Sequence, residues 1–129
     1  MYPIDTREGW TPAAQAAGLF TKLLSGDFDE ANARGFRTRL VRFEPGGRTF
    51  EPYVHAYWEE ICLLEGDLST APDGSSPAAP AYVIRPPGTL HGPFVSQRGC
   101  LLLEVQYFAD RRIGVATHLD LRAPRPVSG

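Results

Sequence analysis

Apolar positions along the chain fall in short runs separated by Gly, Pro and Asp rather than in long periodic stretches. LFTKLL (19–24), FRTRLVRF (36–43), EEICLLEG (59–66), PAYVIRP (80–86), GCLLLEVQYF (99–108) and GVATHLDL (114–121) are each strand-sized and rich in apolar, β-branched or aromatic residues. Twelve prolines and thirteen glycines punctuate them, which suits a chain of many strands and turns. One segment has helical character. TPAAQAAG (11–18) offers Thr11 as a cap, Pro12 at the first helical position and Gly18 as a stop, so a helix of about two turns is predicted there. STAPDGSSPAAPA (69–81) reads as a small-residue loop, and APRPVSG at the end as a tail with too little apolar area to order itself. Strands at this spacing predict an all-β sandwich or barrel, of which the double-sheet jelly roll is one form, in a single domain with its core over about 18–121.

A length of 129 residues fits one hydrophobic core. The formal net charge of −2 supplies no attraction toward phosphate backbones or acidic lipid, so neither nucleic acid nor membrane is an expected partner. MYPIDTREGW carries acids and a proline where a signal peptide needs a basic start and an apolar run, and a cytoplasmic location is expected. Cys62 and Cys100 lie inside apolar runs and read as small core hydrophobes rather than as a disulfide or a catalytic thiol.

Candidate chemistry concentrates in YVHAYWEE (53–60) and RPPGTLHGPF (85–94). Only three histidines occur, at 55, 91 and 118, so a metal site would have to be economical. His55 and Glu59 are four residues apart, which on a straight strand separates their Cα atoms by about 13 Å at ~3.3 Å per residue. Ligands of one ion cannot stand that far apart, so the chain must bend between them, with Ala56, Tyr57 and Trp58 in or near the bend. Past the bend Glu59, Ile61 and Leu63 share one strand face, and Glu60, Cys62 and Leu64 the other. Pro86, Pro87 and Gly88 force a turn that delivers His91 on a rigid loop. Two imidazoles and a carboxylate make the set used by non-haem iron and open zinc sites; two surface histidines and an exposed acid are the alternative.

These two stretches resemble the motifs of the cupin family. The first, G-x5-H-x-H-x3-E-x6-G, is matched at Gly47, His55, Glu59 and Gly66 with every spacing kept, and Tyr53 stands at the first histidine position. The second, G-x5-P-x-G-x2-H-x3-N, is matched at Pro86, Gly88 and His91, with Pro80 and Val95 at the outer positions. The EEICLLEG, YVIRPPGTLH and HGPFVSQRGC runs are most similar to the ChrR-like group, which includes sensor domains and dioxygenases; the similarity spans roughly 18–108. It implies a jelly-roll barrel in which His55, Glu59 and His91 bind a divalent ion (Fe2+, Zn2+ or Mn2+). Tyr53 then acts as a weak fourth ligand or as an acid or base beside an open position.

The resemblance further implies an enzyme acting on a small oxygenated organic molecule. An iron dioxygenase of the diketone-cleaving type comes first. A zinc-dependent cyclase, isomerase or lyase and a small-ligand sensor module, with or without metal, are the alternatives.

Several neighbours carry two readings. Tyr57 lines the pocket or fills the core, as does Trp58. Arg85 meets an acidic substrate or pairs with Glu60 or Glu104. Glu104 and Gln106 share a face that either lines the site, with Glu104 then moving protons, or meets solvent. Arg37, Arg39 and Arg42 are expected in solvent or in ion pairs, and His118 at the surface or an interface. The face carrying Cys62 and Leu64, near Trp58, predicts a homodimer through an outer sheet.

Overall fold

The computed structural model describes residues 1–70 and 73–109. Its strands are β1 (Thr11–Pro12), β2 (Ala16–Gly26), β3 (Phe36–Thr49), β4 (Trp58–Gly66), β5 (Ala81–Arg85) and β6 (Cys100–Tyr107). They form one six-stranded sheet in the order β1-β2-β3-β6-β4-β5 with every pairing antiparallel. Among the described residues there is no helix, and so none long and apolar enough to cross a membrane. The expected strands at 19–24, 36–43, 59–66, 80–86 and 99–108 all appear, several of them longer; 114–121 with His118, and the tail, lie outside the described residues.

The helix expected at 11–18 is a hairpin instead. Thr11 and Pro12 pair with Thr21 and Phe20, and the turn between β1 and β2 places Gln15 at φ 58°. Alanine-rich composition favours a helix only weakly. Two turns cannot compensate the cost of nucleation when an adjacent strand offers a ladder.

A second layer faces the sheet. Past residue 44, β3 leaves its pairing with β6 and meets the segment around 91–96. Gly46 N donates to Ser96 O at 2.8 Å, Ser96 N to Gly47 O at 2.9 Å and Thr49 N to Phe94 O at 2.9 Å. Val95 bridges both Arg48 and Ser69. Tyr53 and His91 exchange both backbone bonds, at 2.7 and 3.0 Å, and thus present their side chains on the same face. The space between the layers is filled at one end by Val41, Phe43, Ile61, Leu63, Cys100 and Leu102. Cross-strand register builds this cluster, since Val41, Leu102 and Leu63 lie directly opposite one another. Each such aliphatic side chain contributes about 1.5–3 kcal/mol by leaving water.

Both cysteines are free. Cys100 lies in the core, where burial pushes its thiol up to about 11 and leaves it unreactive.

Candidate metal centre

Towards the other end the inner face turns polar, row by row. Arg37 on β3, Gln106 on β6, Glu59 on β4 and Arg85 on β5 are directly opposite across four adjacent strands. Side chains that share a register position share a face, so the four form one continuous line. Arg37 Nε donates to Gln106 Oε1 at 2.5 Å, Gln106 Nε2 donates to Glu59 Oε1 at 2.8 Å, and Arg85 NH1 donates to Glu59 Oε2 at 3.3 Å. One row further in, Arg39 Nε meets Glu104 Oε1 at 2.5 Å. The open question about the face of β6 is thereby resolved: Glu104 and Gln106 point inward and are buried. Arg37 and Arg39 point inward as well: Arg39 makes an ion pair, as expected, while Arg37 is neither in solvent nor ion-paired here but bonds the neutral amide of Gln106, its partner in register. Arg42, on the outer face, lies between the Trp10 and Phe20 rings. Arg85 pairs with Glu59 rather than with Glu60 or Glu104.

The chain bends at Ala56 and Tyr57, before β4 begins, as the spacing of His55 and Glu59 demands. The bend is pinned from the second layer, where Gly88 N donates to His55 O at 2.8 Å. It brings the donor atoms of His55, Glu59 and His91 within 4.8 Å of one another. The rings of His55 and His91 are 4.8 Å apart, and Tyr53 stands 5.8 and 5.9 Å from them. Tyr57 stacks on His55 at 4.5 Å and is buried against Phe28 and Phe108; burial pushes its phenol up to about 12. Tyr53, His55, Tyr57, Glu59 and His91, with Glu104 and Gln106, line a cavity of about 430 Å³ whose remaining walls include Val41, Phe43, Phe94 and Leu102. The hairpin contributes Ala13, Ala14 and Ala16, small side chains that leave the cavity its room. Arg85 does not line it and faces a neighbouring cavity.

The donor set suits a divalent ion in kind, two imidazole nitrogens and a carboxylate. His91 Nδ1 lies 2.9 Å from Thr89 O, an atom that only accepts, so Nδ1 carries a proton and Nε2 is the nitrogen left to bind a metal. That Nε2 faces Glu59 Oε2 at 3.3 Å. Two lone pairs at this distance repel unless a proton or a cation lies between them. Ligands about 2.0–2.2 Å from one ion stand roughly 3–3.5 Å apart, as this pair does. Burial pushes the pKa of His55 down from 6.5, against the pull of Glu59 and aided by His91, and a neutral imidazole is the form that binds metal.

A two-layered β fold with two histidines and a glutamate converging between the layers defines a cupin. The family profile described as ChrR Cupin-like domain matches residues 4–107, and the chain belongs to that family. No curated protein matches. Among solved structures, an acetylacetone dioxygenase from Acinetobacter johnsonii is similar over 87% of this chain and 79% of that one, at 20% identity and a TM-score of 0.62. The polyketide cyclase RemF from Streptomyces resistomycificus is similar over 83% of this chain and 79% of that one, at 21% identity and a TM-score of 0.61. The anti-sigma protein ChrR, solved with SigE of Rhodobacter sphaeroides, matches over 78% of this chain but 48% of that one, at 18% identity and a TM-score of 0.57. At these identities the likeness concerns the fold.

Sequence reasoning missed the lateral row. Arg37 was visible only as one of several arginines, and its place against Gln106 follows from strand register, which no local pattern carries.

Proposed function

We propose that the protein is a metal-dependent enzyme acting on a small oxygenated organic molecule, and that it cleaves a diketone-type carbon–carbon bond with O2. The carrying observation is the two-histidine, one-carboxylate cluster opening on a cavity with an apolar wall. His55, Glu59 and His91 would hold the ion, which when bound supplies a Lewis acid for a chelating substrate and, as iron(II), electrons for O2. Both oxygen atoms end in the two fragments, so no external reductant is needed. The remaining work falls to the chain. Tyr53 is set to donate its hydroxyl proton to a substrate oxygen. Burial raises the pKa of Glu104, against the pull of Arg39, so its carboxyl can hold a proton within the cavity. Val41, Phe43, Phe94 and Leu102 exclude water. The fold shared with an acetylacetone dioxygenase supports this reading.

A second reading, non-redox cyclisation or isomerisation with zinc, draws on Tyr53 and Glu104 as two groups able to exchange protons in one cavity and on the likeness to RemF. The test is elemental analysis of protein purified without a metal-affinity tag, beside His91→Ala, followed by oxygen uptake with 2,4-pentanedione. Iron near one per chain, lost in the variant, with O2 consumed in step with the diketone is the expected result. Zinc with no oxygen uptake selects the second reading. No metal in either protein after reconstitution overturns both.

A further inference from the structure

Arg85 closes one end of the lateral row and also lines a second cavity of about 310 Å³. This cavity shares Ile61, Leu68, Phe94 and Leu102 with the first, so the two adjoin along a common apolar lining. Its own lining adds Leu63, Ala81 and Val83, and with them the hydroxyl-bearing Thr70, Ser75 and Tyr82. Arg85 is its sole cation among the described residues. The guanidinium lies over the Phe94 ring at 5.2 Å, which fixes its plane. It spends one nitrogen on Glu59, at 3.3 Å, where a charge-assisted bond is normally about 2.7–2.9 Å. Among the described residues it makes no other hydrogen bond.

A planar guanidinium with unused donors in a mostly apolar cavity is a receptor for a carboxylate, which it can meet with two parallel bonds. Glu59 satisfies it poorly because the same oxygen faces His91. A divalent ion on Glu59 would draw that oxygen further from Arg85 and leave the arginine in need of an anion.

We propose that this second cavity is a subsite for the carboxylate end of an organic acid held by Arg85. The acid's apolar body lies against Ile61, Val83 and Leu102, and its other end reaches the cavity of His55, Glu59 and His91. That the far end is the reacting one rests on the function proposed above; the carboxylate subsite does not.

The experiment uses the full chain stripped of metal by a chelator, titrated calorimetrically with hexanoate and with hexanamide. Hexanoate should bind about tenfold or more tightly than the amide. Arg85→Met should abolish that preference, and Glu59→Gln, which frees the guanidinium, should tighten hexanoate several-fold. Val83→Phe fills the cavity without touching the ion pair and should weaken both ligands, which keeps the test decisive if Arg85→Met does not fold. Equal binding of acid and amide, no binding of hexanoate at millimolar concentration, or unchanged hexanoate binding in Val83→Phe each overturns the proposal. Because no metal is present, the outcome is independent of whether the protein proves to be a metalloenzyme.

Discussion

Gln106 is only 1% exposed and uses both ends of its amide, with its oxygen on Arg37 and its nitrogen on Glu59. The arginine can only donate and the carboxylate only accept, so the amide has one permitted orientation and Glu59 is held by it. Gln106→Leu strands a guanidinium and a carboxylate together. We expect a loss of about 3 kcal/mol in urea unfolding. In a competition titration, metal affinity should fall about 10- to 100-fold. Asp67 makes a different prediction, away from the site. Burial would raise its pKa, but the backbone N–H groups of Gln97 and Arg98, at 2.9 and 2.8 Å, outweigh it and hold the carboxyl below 3.8. A depressed folded value means that the stabilisation is complete above the unfolded pKa and disappears as pH falls through the folded one. Melting curves from pH 6 down to about 2 should therefore steepen in loss below pH 4, and Asp67→Ala should flatten that acid limb. The ligands themselves were legible in sequence, because motif spacing fixes them. Gln106 and Arg37 were not, since what makes them partners is a pairing between distant strands.

Strand ends explain the glycines that frame the first motif. Gly66 has φ 84°, and a Cβ there would meet Gly99 O at 1.9 Å, so the chain leaves β4 at a point where only glycine fits. Gly47 is needed for a different reason: a Cβ would press on Gly18 O at 2.6 Å, where β2 and β3 cross into the second layer. Gly66→Ala should cost about 2 kcal/mol or more by thermal or chemical unfolding, through strain at the start of the loop after β4. Both glycines belong to the motif because they set how the strands leave the sheet. Strand positions were readable from apolar runs bounded by Gly and Pro. The hairpin at residues 11–21 was not, because alanine and glutamine carry no signal for a β1 of two residues whose partner, β2, supplies the ladder.

At the scale of the molecule, the sheet's outer face carries Trp58 stacked on Tyr107 at 6.5 Å, with Leu64, Tyr82 and Ile84 exposed beside them. This is the face on which the homodimer proposal rests. Light scattering at micromolar concentration should return about twice 14.2 kDa; the monomer mass would sink it, and Ile84→Lys should shift the equilibrium to monomer. The inner face has a consequence of another kind. The row Arg37, Gln106, Glu59, Arg85 draws one residue from each of four strands. A slip of a single residue along any strand would turn its member to the opposite face. The row therefore cannot exist in part-folded or misregistered chains, and it forms only after contacts as remote as Arg37 with Gln106 have closed. Capture of an ion by the proposed centre would then be the last event in folding rather than its trigger, and in refolding from urea added metal should be taken up no earlier than the slowest phase by which the sheet completes.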